Sequence, residues 1–184
     1  MALEWHDPIT HSSAPLTAAA AVHAGVAIYA SRRARALFPT IVPLPELDDW
    51  PGFFCAALLT DSGGLTTAVA SIYAPERVER ARYFDALSSH LQGVATRHTV
   101  DRWIIGGDWN VVLDAQDRTS SLRHGENGAA GLHAIVDALG LRDVFRTLHP
   151  DEREYTHSHT NSNSQLRQSR LDRIYATHVG AASI

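Results

Sequence analysis

The stretch that most constrains this chain runs from Arg102 to Asn110. An apolar run, Trp103-Ile104-Ile105, ends in Gly106-Gly107 and passes straight into Asp108-Trp109-Asn110. Consecutive large apolar residues suit a strand buried on both faces. Two glycines after it let the backbone bend and let a ligand come close. Asp108 and Asn110 stand two apart, so on an extended backbone they point to the same side. A carboxylate beside an amide suits a divalent cation and a phosphate. Aspartate binds hard metal ions, and the asparagine NH2 donates to phosphate oxygen. Glycine, aspartate and asparagine also make turns, and the spacing alone leaves both readings open.

The rest of the chain supplies a domain around that segment. Its 184 residues are 45% hydrophobic and 20% charged, enough to bury one core. Residues 1–24, with Pro8 and Pro15, read as an irregular lead-in, and residues 25–184 as the domain. Gly25 to Ala30 reads as a buried strand, followed by a loop with Arg32, Arg33 and Arg35. Phe53–Thr60 and Leu65–Tyr73, joined by Asp61-Ser-Gly-Gly64, read as a hairpin ended by Pro75. In Glu76–Arg97, Val78, Ala81, Phe84, Leu87, Leu91 and Val94 recur at helical spacing. Gly128–Leu139 reads as a second helix, and Glu154–His157 and Arg170–Ala176 as two further strands around a polar turn at Asn161–Gln165. Strands and helices in this order predict an α/β fold: a mixed sheet, or two sheets, with helices outside.

Composition narrows the chemistry. A single cysteine, Cys55, excludes an internal disulfide and a cysteine-rich zinc site. Sixteen basic residues against twenty acidic ones leave a net charge of -4. Binding to nucleic acid by bulk charge is therefore not expected, and such a partner needs a local basic patch or a cation. No run of eighteen apolar residues exists, so no membrane helix is expected. With Glu4 and Asp7 at the start there is no good signal peptide, and an intracellular location is the expectation.

Several polar residues carry open readings. His157 and His159 have same-face spacing on a strand and suit a transition metal, but no third ligand accompanies them. Arg170 and Arg173 suit structural ion pairs with aspartates. Asp172, on an expected buried strand, needs a partner, either Arg118 or a backbone donor. Asp114, Asp117 and Arg118 fit a substrate-facing loop or a solvated turn equally well.

Four segments, in order, resemble the endonuclease/exonuclease/phosphatase superfamily. Gly106-Gly107-Asp108-Trp109-Asn110, with Asp114 and Asp117-Arg118 after it, looks like the family's Gly-Asp-Phe-Asn segment. Ser71-Ile72-Tyr73-Ala74-Pro75 is similar to its Tyr-x-Pro strand end, and Tyr155-Thr156 to its Tyr-Thr strand start. Ser169-Arg170-Leu171-Asp172-Arg173-Ile174-Tyr175 resembles a signature common in endonucleases of LINE-type retrotransposons. Gly25 to Ile28 is similar to an earlier family strand, so the resemblance spans about residues 25–177.

The resemblance implies a four-layer α/β sandwich, two facing mixed sheets with outer helices. It implies hydrolysis of phosphate esters with Mg²⁺ (or Mn²⁺), and DNA nicking in the retroelement branch. Asp108 would align or deprotonate the attacking water near the metal. Asn110 would hold the scissile phosphate, and Tyr73 would bond a phosphate oxygen or help the leaving group. Asp172 would orient a catalytic histidine, and Arg118 and Arg170 would contact substrate. A retroelement origin would imply a nuclear site of action.

Departures from the family pattern set a second expectation. The family's metal-binding Asn and Glu belong upstream of the Gly25 strand, where only about 24 residues stand. Its closing Ser-Asp-His is not found after Asp172, and His178 follows too closely to return on a neighbouring strand. The chain therefore reads as a domain cut at both ends. An impaired enzyme, an inactive remnant, and a phosphatase for a small substrate all stay open.

Overall fold

The computed structural model describes residues 8–13, 25–76, 78–120 and 127–177. The alanine run at 18–21 and His178 lie outside the described residues. A six-stranded mixed sheet forms the centre. Its strands are β3 (Thr40–Pro43), β4 (Phe54–Thr60), β5 (Thr66–Tyr73), β6 (Arg102–Asp108), β7 (Leu141–Asp143) and β10 (Asp172–Thr177). Their spatial order is β3-β4-β5-β6-β10-β7. Only β5 and β6 run parallel, joined by the long helix α2 (Arg80–Arg97). Two strand pairs complete the sheet structure: β1 (Thr10–Ser13) with β2 (Gly25–Ile28), and β8 (His157–Thr160) with β9 (Leu166–Ser169). Among the described residues the other helices are α1 (Arg32–Leu37), α3 (Ala129–Ala138) and α4 (Val144–Leu148). The α/β architecture, a mixed sheet with further strand pairs and with helices, agrees with the sequence, and β1 and β2 pack against β4 and β5.

The core follows from alternation along the strands. Phe54, Ala56 and Leu58 of β4, Ala68, Ala70 and Ile72 of β5, and Trp103 and Ile105 of β6 share one cluster. Tyr83, Phe84, Leu87, Leu91 and Val94 of α2 close over it, with Leu132 and Ile135 of α3. Truncating one of these helix anchors costs about 2–5 kcal/mol. The opposite residues of β4, Cys55, Ala57 and Leu59, are buried too, where β1 and β2 pack against β4 and β5.

Local details correct several expectations. The lead-in is not irregular throughout: Thr10–Ser13 is a strand. Buried Ser12 ties it down, its hydroxyl donating to Glu46 and accepting from the Gly52 amide. The Arg32–Arg35 loop is a short helix, because the Ser31 hydroxyl caps it by accepting from the Ala34 amide. The long helix starts at Arg80, so Val78 stays outside it and is 81% exposed. Strand β8 starts three residues later than expected, at His157, set by pairing with β9, a strand the polar sequence concealed. The segment at Trp103–Ile105 is buried on one face only, since Ile104 and Ile174 of β10 are exposed on the other.

Candidate active site

The glycines of β6 do not end the strand; it continues to Asp108. Gly107 adopts φ +143, and a Cβ there would lie 2.0 Å from the Ile72 carbonyl oxygen. Only glycine lets β6 run this close to β5. That continuation puts Asp108 opposite Tyr73 on β5 and opposite Asp172 on β10. Partners in register share a face, so Tyr73, Asp108 and Asp172 form one row across three strand ends. The row lies on the sheet face away from α2.

A short loop fixes Asn110 beside that row. Trp109 is fully buried, stacks on Phe84, and donates from its indole N–H to the Arg173 carbonyl. Its backbone N–H reaches the Leu171 carbonyl. Asn110 then turns with φ +50, a left-handed conformation that asparagine tolerates better than most side chains. Its amide N–H donates to Asp108 Oδ1 at 2.8 Å, and Nδ2 donates to the Ala74 carbonyl at 2.7 Å. One Nδ2 hydrogen remains beyond that bond.

Burial pushes the Asp108 carboxyl above the usual carboxylate range, and the charge of Asp172 adds to this. The Asn110 N–H and the charges of His157 and Arg80 oppose the shift without cancelling it. The row is therefore short of positive charge. Asp172 is exposed, so it needs no buried partner, contrary to the sequence expectation. Its backbone N–H and that of Leu171 both donate to the Thr156 hydroxyl. Thr156 thus anchors the start of β10, a role the Tyr-Thr pair only hinted at. Tyr73 is half-buried and stacks on Phe53.

These residues fit a hard cation of the Mg²⁺ type. Two oxygen donors face each other at Asp108 and Asp172, and burial, with the charge of Asp172 added, holds Asp108 above its ordinary pKa. Mg²⁺ keeps several waters and takes one or two carboxylates together with substrate phosphate. Among the described residues no group of three or more His, Cys, Asp or Glu is arranged to hold a metal. An all-protein cage is not what such an ion requires. His157 and His159 are exposed, with rings 5.6 Å apart, and acquire no third ligand among the described residues.

Arg170 stands elsewhere. Its side chain is 4% exposed and grips Asp117 with two bonds of 2.9 and 3.0 Å, and Asp143 with one of 2.7 Å. It is a structural ion pair, not a substrate contact: burial and its two carboxylate partners remove it from the face of Asp108. Asp117 is buried too, so it belongs to neither a substrate loop nor a solvated turn. Asp114 is exposed and caps the 3-10 turn Ala115–Asp117. Arg118 is half-buried and bridges by its backbone to Ser169. Arg173, buried beside Arg170, donates to the Val111 carbonyl and so holds the segment after Asn110. No sequence motif assigned it that task; the alternation of Asp172 and Arg173 to opposite faces was the available signal.

A model of the Endonuclease/Exonuclease/phosphatase family matches residues 3–183. The chain is similar to the uncharacterized 149 kDa protein of transposon TX1 from Xenopus laevis. The two are 33% identical over 113 residues, which is 61% of this chain and 8% of that protein. Among solved structures it resembles the 3′ phosphatase NExo from Neisseria bound to a product DNA hairpin. That likeness has a TM-score of 0.64 at 21% identity, over 94% of this chain and 66% of the other. It also resembles the endonuclease domain of TRAS1, a telomere-specific non-LTR retrotransposon, with a TM-score of 0.56 at 14% identity, over 92% and 67% of the two chains. At these identities the structural likenesses speak for the fold alone.

Proposed function

Because the chain belongs to the endonuclease/exonuclease/phosphatase family, we propose that it hydrolyses phosphodiester bonds in DNA, as a nicking endonuclease of retroelement type. The observation that carries this reading is the row Tyr73–Asp108–Asp172 on one sheet face, with Asn110 locked beside it. The relationship to a transposon protein favours DNA over a small phosphorylated substrate.

The roles follow from the groups. Asp108, held above the ordinary carboxylate range, is a stronger base than a free aspartate and suits alignment or deprotonation of the attacking water. Asn110 has a fixed amide with one Nδ2 hydrogen to give to a phosphate oxygen. Tyr73 offers a phenolic O–H at the next strand end, to a phosphate oxygen or the leaving group. Asp172 and Asp108 would hold the Mg²⁺ (or Mn²⁺) ion. When bound, a divalent ion neutralises charge on the phosphate and on the oxyanion that develops. Arg118 is retained as a proposed substrate contact, and a nuclear site of action follows from the retroelement reading. No helix among the described residues is long and apolar enough to cross a membrane.

Relaxation of supercoiled plasmid tests the reading, with Mg²⁺ and with EDTA, beside hydrolysis of a small phosphomonoester. Mg²⁺-dependent nicking with little phosphomonoester turnover is expected. Turnover of the small ester alone would replace DNA with a small substrate, and inactivity on both would leave an inactive remnant.

A further inference from the structure

On its Tyr73 side the row borders aromatic rings that the proposed reaction does not use. Phe54 pairs with Ile72, which brings Phe53 opposite Tyr73. The Tyr73 amide donates to the Phe53 carbonyl, and the two rings stack with centroids 5.8 Å apart and planes at 17°. The row of side chains thus continues past Tyr73 onto Phe53. Trp50 stands edge-on to Phe53 at 5.8 Å and to Tyr83 at 5.4 Å.

The local sequence holds these rings in place. Trp50-Pro51-Gly52-Phe53 closes on a 3.2 Å bond from the Phe53 amide to the Trp50 carbonyl, with Gly52 at φ +87. Proline second and a positive-φ glycine third are the composition of a type II turn. The Gly52 amide also donates to the buried Ser12 hydroxyl, which pins the turn at its middle. Little freedom is left for these two residues to lose on binding. Burial changes along the ring contacts. Tyr83, Phe84 and Trp109 are fully buried, whereas Trp50, Phe53 and Tyr73, toward the row, are half-buried. Exposed Asp48 and Asp49 precede Trp50. Their charge disfavours phosphate at this end and leaves an uncharged flat ring as the suitable occupant.

Neighbouring strands lie about 4.8 Å apart, so Phe53 is two strands, or about 10 Å, from Asp108. The base of a nucleotide next to a phosphate held at Asp108 spans that distance. We propose that Trp50 and Phe53 form a stacking platform for an unpaired base beside the scissile phosphate. The platform rests on the DNA reading above and narrows its substrate to sites where a base has left the duplex stack. Every base has a flat π face, so the contact tolerates any sequence.

Tryptophan fluorescence tests this in the Asp108→Asn chain with Mg²⁺, a variant expected to bind DNA without cutting it. The probes are oligothymidylate, a base-free deoxyribose-phosphate oligomer of the same length, and a blunt duplex. Oligothymidylate is expected to quench saturably, the duplex less, and the base-free oligomer not at all. Adding Trp50→Phe should remove the quenching, since Trp103 and Trp109 are buried. Adding Phe53→Leu keeps an apolar side chain and should weaken oligothymidylate binding roughly tenfold, and Phe53→Tyr should restore it. No quenching, equal quenching by the base-free oligomer or the duplex, quenching that survives Trp50→Phe, or full affinity in folded Phe53→Leu would each overturn the platform. Plasmid nicking by the parent chain separates the two claims. Nicking without quenching removes the platform alone, and quenching without nicking removes the proposed activity alone.

Discussion

Two carboxylate clusters stand on opposite sides of one strand end and behave in opposite ways. Asp117 lies among Arg146, Arg170 and Arg173, and every carboxylate oxygen there meets a guanidinium. Asp108 lies beside Asp172, with His157 and Arg80 only partly balancing the pair. Burial pushes both carboxyls up. At Asp117 the bonds from Arg170 and Arg146 and the charge of Arg173 more than offset that, and hold it below the usual range. At Asp108 nothing does so sufficiently, and it stays above. The first cluster pairs its charges within the fold. The second is left charged toward a ligand. Strand β10 connects them, since Asp172 and Arg173 are neighbours that point to opposite faces.

The comparison breaks most visibly when the paired cluster loses a member. Arg170→Ala leaves Asp117 and Asp143 without their shared partner in a buried setting. It is expected to cost about 3–5 kcal/mol, read by denaturant unfolding. Loss below 1 kcal/mol would mean that the cluster is not what holds Asp117.

On the open side, the expected loss is in rate and not in fold. Asn110 sits at φ +50, where alanine would add backbone strain, so Asn110→Gly is the cleaner variant. Removing its amide should lower nicking by about 10²–10³, the cost of one preorganised donor, with little change in Tm. A Tm drop that accounts for the loss would turn Asn110 into a scaffold residue.

Acid sharpens the difference further. The Asp117 carboxyl is held below its unfolded value, so its contribution is present above about pH 4 and lost as pH falls through the lower folded value. Acid unfolding should therefore steepen below about pH 4. In Asp117→Asn that extra loss should disappear, and an unchanged acid limb would remove Asp117 as its cause.

The smallest effect expected is at the hinge between the clusters. Thr156→Val deletes the hydroxyl that accepts from the Leu171 and Asp172 amides. It should cost about 1 kcal/mol of stability and lower nicking several-fold. Restoration by Thr156→Ser would tie the effect to the hydroxyl.

The sequence displays these two clusters unequally. Asp108 and Asn110 were legible because glycine, carboxylate and amide follow an apolar run in a local pattern. Tyr73 and Asp172 were legible through motifs, though their alignment with Asp108 is a property of sheet register that no local window contains. Arg170 stayed open between a structural ion pair and a substrate contact, because a charged residue looks alike in sequence whether it faces solvent or two carboxylates. Its partners Asp117 and Asp143 are 53 and 27 residues away. Short strands such as β1, β7 and β9 were hidden for the same reason. They are polar or only three or four residues long, and pairing with distant strands makes them extended.

One measurement reaches the contrast directly: Asp108→Asn, followed by thermal unfolding at neutral pH and by plasmid nicking. A raised folded pKa means that Asp108 adds stability only while protonated, fully so below its unfolded pKa, and that this is lost as pH rises through the folded value. At neutral pH the neutral amide should therefore unfold at or above the parent temperature, while nicking is lost. A variant that unfolds well below the parent, or that still nicks DNA at the parent rate, would contradict the assignment of this row as the reactive centre.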